Sequence, residues 1–344
     1  MPETPAPADP DAGTPSAPAR ARRRRRVWPR VLVVVAGVLV LALVGVGVYA
    51  WRVDRGLTNN ITRGIDLPTD DPSSGSRPTA APETGTLNYV LLGSDSRDPE
   101  DEGDGRSDSI MVVHLNKERD EAYIVSFPRD MYVDIPGYGR NKINAAYSLG
   151  GPALTVRTLE KLTDVRMDHV VLIGLEGFIG LTDDLGGVTV TNGTAFTSHG
   201  FDYPKGKITI KGEQALWFVR ERHSLPNGDL DRAENQRNVI KAIVAKGLSA
   251  DVISDPARFT AFISNLAKHV TVDNSLTDAE IRRTALSLRL KSRDIELLQA
   301  PLSGFGTSPD GQSIDVVDTA KLAELSEALE KDTMDSYVKK YPKG

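Results

Sequence analysis

Twenty consecutive residues without a charge, "VLVVVAGVLVLALVGVGVYA" from Val31 to Ala50, limit this chain more than any other feature. At about 1.5 Å of rise per residue, a helix of that length matches the roughly 30 Å hydrocarbon core of a bilayer. Trp28 stands on one side of the run, with Tyr49 and Trp51 on the other, where interfacial aromatic residues are expected. The preceding "RARRRRRVWPR" concentrates positive charge before the run, which predicts a cytoplasmic amino terminus. A cleaved signal peptide is the alternative, but the run is long for one and no small-x-small cleavage site follows it. The expectation is a single-pass protein of the cell membrane, with everything beyond the run extracellular.

Charge divides at the same place. Residues 1–55 hold nine arginines against Glu3, Asp9, Asp11 and Asp54, so a formal charge of −5 overall leaves −10 on the remainder. An external domain that acidic is a poor partner for nucleic acid, and none is expected. Any cluster of arginines inside it is local and therefore informative. The absence of cysteine removes thiolate metal sites, cysteine nucleophiles and disulfides together.

The expected organisation has five parts. Residues 1–30 form a basic, Pro- and Ala-rich cytoplasmic tail, and 31–51 the transmembrane helix. Residues 52–85, including "LPTDDPSSGSRPTAAPETGT", form a polar spacer. A single domain covers 86–335, and 336–344 is a C-terminal tail. Within the domain, "LNYVLLGS", "SIMVVHLN" and "EAYIVSFP" are β-rich runs close enough to make a meander. "INAAYSLGGPALTVRTLEKLTD" predicts two helices broken at Gly150-Gly151-Pro152, and "HVVLIGL" a buried strand. Helices are expected over "KGEQALWFVRE", "DRAENQRNVIKAIVAKGLS", "DPARFTAFISNLAKH", "TDAEIRRTALSLRL" and "DTAKLAELSEALEK", with a strand at "IELLQAP". Strands and helices alternate too tightly for two domains, which predicts a three-layer α/β/α ectodomain around a central mixed sheet.

Several clusters are able to carry chemistry, and each has a plainer reading. Asp95 in "LLGSDSRD" and Asp108 in "GRSDSIMVV" lie at strand ends, where two carboxylates can hold a hydrated Mg²⁺ or simply form turns. "SFPRD" presents Arg129 and Asp130 after a strand stopped by Pro128, as a fork for phosphate or as a salt bridge. Lys142 and Asn144 in "NKINAAYSLGG" mark a helix start, suited to an anion or to ordinary capping. "VRERHSLPNGDLDRAENQR" packs Arg220, Arg222, Arg232 and Arg237 around Asp229, Asp231 and Glu234. Arg220 and Arg222 share a side only if the chain is extended there, whereas Arg232 and Gln236 must share a helix face. A solvated face explains Arg237 and Glu234; it explains poorly the arginines on both flanks of a Gly-Asp turn. Asp229 is placed at or near an N-cap, and capping alone is a sufficient task for it. His114, His169, His199 and His223 show no metal-ligand spacing, and His114 reads as a core residue of its strand. Neither a Ser-His-Asp arrangement nor a glycine-rich P-loop is present.

Taken in order, "LLGSDSR", "RSDSIMVV", "SFPRDMYVDIPG", "KINAAYSLGG", "DLGGVTV" and "VRERH…GDLDRAENQR" resemble the LytR-CpsA-Psr family of cell-wall glycopolymer ligases, over roughly residues 86–245. The resemblance implies a transferase outside the membrane, moving a glycopolymer from a polyprenyl pyrophosphate to a sugar hydroxyl of peptidoglycan. By motif, Asp95 and Asp108 match its Mg²⁺ (or Mn²⁺) ligands. Arg106, Arg129, Arg220, Arg222, Arg232 and Gln236 match its pyrophosphate-binding side chains, and Arg97 and Lys142 also fit that pattern. Arg129 and Asp229 are the expected catalytic residues, Asp229 matching the acid that activates the acceptor. The same resemblance implies an apolar lipid cavity, for which "HVVLIGLEGFIGL" is a candidate lining and also an ordinary core run. Two competing functions are a hydrolase that cleaves the same pyrophosphate with water, and a non-catalytic wall-sensing membrane protein.

Overall fold

The computed structural model describes residues 61–70, 77–79, 85–94, 107–253 and 255–342. The expected cytoplasmic tail and membrane helix lie outside these residues. Among the described residues, no helix is long and apolar enough to cross a membrane.

The chain opens with β1 (Thr62–Ile65), followed by β2 (Leu87–Ser94), β3 (Ser107–Leu115) and β4 (Ala122–Ser126). A hairpin of β5 (Tyr132–Ile135) and β6 (Gly139–Lys142) leads to α1 (Ala145–Thr163), β7 (His169–Gly174) and α2 (Leu175–Asp184). Next come β8 (Val188–Asn192), β9 (Phe196–Ser198), β10 (Phe201–Tyr203) and β11 (Gly206–Ile210), then α3 (Gly212–Arg220) and α4 (Asp229–Gly247). The remainder is α5 (Ala250–Ile253), α6 (Pro256–Lys268), β12 (Thr271–Asp273), α7 (Asp278–Ser287), β13 (Ile295–Gln299), β14 (Leu302–Thr307), β15 (Ser313–Val317), α8 (Thr319–Glu330) and α9 (Met334–Lys340).

The expected mixed sheet is there, seven strands in the order β1-β12-β7-β2-β3-β4-β13. The β2-β3-β4 meander is antiparallel, while β7 runs parallel to β2 and β13 parallel to β4. Strand alternation sends successive side chains to opposite faces. Val90, Leu92, Ile110, Val112 and Val125 therefore pack with Val156 and Leu159 of α1 and Leu325 of α8. Met111 and Ile124 face the other way, towards Ile240 and Val244 of α4. Helices thus cover both faces. A separate apolar cluster joins α2, α3 and the β8–β11 region, with Phe178, Val188, Phe218 and Val239 among its members.

His114 is a core residue as expected, fully buried with Nδ1 2.8 Å from Asn88 Oδ1. The helix break is also as expected: Gly150 and Gly151 interrupt α1, and Gly151 takes a left-handed φ of 61° just before Pro152. In "HVVLIGLEGFIGL", Val170 and Leu172 pack into one cluster and Phe178 and Leu181 into another, which is core packing.

Two expected boundaries are corrected. The stretch 52–85 is not all spacer, because β1 pairs in parallel with β12 and Arg77 is buried. The Arg77 guanidinium bonds Glu160 at 2.6 Å and the Met167 carbonyl at 2.7 Å. A four-residue strand whose partner is far along the chain leaves no periodicity to read. Residues 336–344 are not simply a tail either: α9 extends to Lys340, anchored by buried Met334 and Tyr337.

Candidate active site

Strand directions decide where a site can form. β2, β4, β7 and β13 all run the same way, so their carboxyl ends lie along one edge of the layered domain. In sheets of this kind, ligands collect beyond those ends. Ser94 closes β2 in register with Ser107 at the start of β3, so the end of this strand pair lies on the same edge. Asp95, Arg97 and Arg106 lie outside the described residues; of Asp108 only the backbone, within β3, is described.

The backbone of the turn after β4 is held by hydrogen bonds. Met131 N–H donates to Pro128 O at 3.0 Å, closing the turn that carries Arg129 and Asp130. Ile143 N–H donates to Met131 O at 2.8 Å, Asn144 N–H to Arg129 O at 3.2 Å and Asp315 N–H to Asp130 O at 2.9 Å. Two further segments, at 143–144 and at Asp315, thereby hold this turn.

Asp229 faces it from α4. Gly228 precedes the helix at φ 54° and ψ −112°, a conformation that strongly favours glycine. Asp229 is then the first helical residue and does not cap, which corrects the capping reading. Its carboxylate meets cations instead: Oδ1 lies 2.6 Å from Arg232 Nη2 and 3.3 Å from Arg129 Nε. All three atoms are shielded from solvent, and these contacts are ion pairs rather than well-aligned hydrogen bonds. Arg129 Nε also lies 3.7 Å from Asp130 Oδ2, and Lys142 Nζ is 2.8 Å from Asp130 Oδ1. Asp231 does a different job, accepting 2.8 Å and 3.0 Å bonds from Asn227 and so shaping the loop before α4.

The structure thus brings Arg129, Lys142, Asp229 and Arg232 into one cluster. Gln236, one turn beyond Arg232, donates to Val219 O at 3.3 Å and ties α4 to the end of α3. Arg220 and Arg222 make their described contacts elsewhere. Arg220 lies 5.6 Å from the Trp217 ring, whose indole stacks on His199 at 3.4 Å, and Arg222 Nε lies 3.4 Å from His223 Nε2. The chain does extend after α3, with Glu221 at ψ 134°.

Two residues were not legible beforehand. Arg237 is not solvated but 8% exposed, and its guanidinium bonds Ser126 Oγ at the end of β4. Burial pushes its pKa down to about 10, with Glu234 opposing. The cause is that α4 is buried on two sides: Ile240 and Val244 pack on the sheet, Val239 and Ile243 on the α2–α3 cluster. The other is Asp315 of β15, 7% exposed, whose backbone pairs with the Arg129 turn. Burial and the nearby Asp130 and Asp229 carboxylates push it up to about 6, against the pull of Lys142.

Among the described residues no group of three acidic or histidine side chains is placed to hold a metal ion. Two carboxylates at neighbouring strand ends, as the sequence leads one to expect of Asp95 and Asp108, are hard oxygen donors of the kind that Mg²⁺ accepts while keeping waters.

The model of the LytR_cpsA_psr family matches residues 65–331. The polyisoprenyl-teichoic acid–peptidoglycan teichoic acid transferase TagU of Bacillus mycoides is 35% identical over 251 residues, covering 71% of this chain and 80% of TagU. TagU of Enterococcus faecalis is also 35% identical, with 71% and 78% covered. Among solved structures, TagV of B. subtilis superposes with a TM-score of 0.64 at 24% identity, over 73% of this chain and 98% of TagV, which shows the fold. A structure of TagT bound to LI-WTA has a TM-score of 0.59 at 27% identity, covering 79% of this chain and all of that one. With a match across most of its length and relatives above 30% identity over more than two thirds of it, this chain belongs to the LytR-CpsA-Psr family.

Proposed function

We propose that this chain transfers a glycopolymer from a polyprenyl-pyrophosphate donor to a sugar hydroxyl of peptidoglycan, outside the cell membrane and anchored in it by the helix at 31–51. The observation that carries this reading is the Asp229 carboxylate held between Arg232 and Arg129 at the carboxyl edge of the sheet. Guanidinium groups fork onto phosphate oxygens, and the Arg129 and Arg232 edges now facing Asp229 are the ones a phosphate would share. Lys142 adds a third cation. Asp95 and Asp108 would hold Mg²⁺ or Mn²⁺, which when bound neutralises charge on the pyrophosphate oxygens. Arg97, Arg106, Arg220, Arg222 and Gln236 complete the donor site in this reading.

Phosphoryl transfer needs position and charge neutralisation more than a covalent intermediate. The acceptor oxygen bonds to the glycan-side phosphorus, the bridging P–O bond breaks, and polyprenyl phosphate leaves with that electron pair. Asp229 takes the acceptor's proton. The names of the TagU relatives, which join teichoic acid to peptidoglycan, support the same reaction class.

The test uses the full chain in detergent, a prenyl-pyrophosphate-linked glycan and a peptidoglycan oligomer. Mass spectrometry should find the glycan phosphate joined to the oligomer, with prenyl phosphate released. Free glycan phosphate in place of the joined product would identify a hydrolase and overturn the proposal.

A further inference from the structure

The C-terminal part of the chain carries none of the motifs that mark the site, yet it supplies a carboxyl to it. Asp315 N–H donates to Asp130 O at 2.9 Å, and Asp315 bridges Met131, so β15 is one of the two segments that fix the Arg129 turn. On this strand both Ile314 and Asp315 are buried, which breaks the alternation of an edge strand. A hairpin strand serving only as a clamp has no need of a buried carboxyl, because its clamp is made by the backbone.

We infer that Asp315 is a positioning residue of the anion site: it takes up a proton when a pyrophosphate diester binds, releasing Lys142 and the Arg129 turn from a competing carboxylate. This rests on the donor class proposed above.

The surrounding charges support that role. Asp130 faces Asp315 from the turn and already holds Lys142 of β6 at 2.8 Å. Asp229 faces it from the start of α4, itself paired with Arg129 and Arg232. On β5, Asp134 is engaged by Lys161 at 2.5 Å. In the β14–β15 turn, Asp310 is held by Gln312 at 2.6 Å. Asp315 is thus a carboxyl beside two others, with Lys142 as its opposing cation, and it titrates near 6. A bound diester adds negative charge to the same side. Its phosphates stay singly charged throughout the neutral range, so any proton taken up belongs to the protein. The electrostatic cost falls on the carboxyl nearest to neutrality, and by linkage the affinity must fall as pH rises through that titration.

The experiment measures binding of a short-chain prenyl pyrophosphoryl sugar to the full chain in detergent, at fixed Mg²⁺, by calorimetry in buffers of different ionisation heat. Wild type is expected to take up part of a proton at pH 6–7 and to bind about tenfold more weakly at pH 8 than at pH 5.5, as a shift of about one pKa unit on binding requires. Asp315→Asn should show no proton uptake near pH 6.5, little pH dependence, and tighter binding than wild type at pH 8. Asp315→Glu should restore the uptake. If Asp315→Asn does not fold, the assigned carboxyl carbon resonance of Asp315 in wild type replaces it, and should titrate at higher pH with the diester bound. Equal pH dependence in wild type and Asp315→Asn, or an unmoved resonance, overturns this inference and leaves the proposed function standing. Absence of diester binding by wild type at every pH removes the proposed function and this inference with it.

Discussion

Replacing Asp229 by asparagine separates the two tasks that its position allows. The carboxylate Oδ1 sits 2.6 Å from Arg232 Nη2 and 3.3 Å from Arg129 Nε, with the Arg232 side chain 6% exposed. Removing one partner of a fully buried pair costs about 3–5 kcal/mol. Here the Asp229 side chain is 23% exposed and the amide keeps an acceptor oxygen at the same place, so the expected loss is about 1–2 kcal/mol. No capping contribution is lost, because Gly228 holds that position. Donor affinity should hold or improve, up to about tenfold, since both guanidiniums are relieved of a competing anion. Transfer should nevertheless fall by about 10² to 10⁴, the usual contribution of a general base. The assay combines the thermal midpoint of the full chain, the Kd of a prenyl pyrophosphoryl glycan and the single-turnover rate with a peptidoglycan acceptor. A variant that binds the donor normally and transfers at near wild-type rate would refute the reasoning, and Asp229 would be only a counter-ion. A Kd weakened by the same factor as the rate would refute it too.

Arg237→Lys should cost about 1–2 kcal/mol of stability in urea denaturation, because an ammonium cannot fill the buried guanidinium position beside Ser126; an unchanged midpoint would return Arg237 to the solvated class. Asp95→Ala and Asp108→Ala should each abolish Mg²⁺- or Mn²⁺-dependent transfer with little change in thermal midpoint, and either variant active at limiting metal would demote that residue to a turn former.

Local signals were legible in proportion to their length. The closely spaced β-rich runs of β2, β3 and β4 exposed the meander, and Gly150-Gly151-Pro152 exposed the break in α1. Arg232 and Gln236 shared a helix face by spacing alone, and the structure pairs Arg232 with Asp229 and adds Arg129 from the turn after β4. What failed to show was whatever depended on distant packing. Arg237 looks solvated because a helix buried on two sides has no polar face to mark the contrast. β1 and β12 are too short to carry a pattern, and they hold one another only across the whole domain. Asp315 sits in a five-residue strand next to a turn almost the length of the domain away. Asp229 seemed a cap because Asn-Gly-Asp suits one, and the left-handed Gly228 shifted the helix start by a residue.

The order of the sheet bears on how such a domain closes as its chain is made. β13 covers the outer side of β4, and β12 the outer side of β7, and both come from the last quarter of the chain. A chain made only as far as residue 270 holds every recognised motif residue, yet two sheet edges stand with unpaired N–H and C=O groups. Bare edges of that kind recruit other strands. The segment that looks least functional in the sequence therefore closes both sheet edges, and shortening it is expected to favour self-association as well as to remove the β15 support of the Arg129 turn.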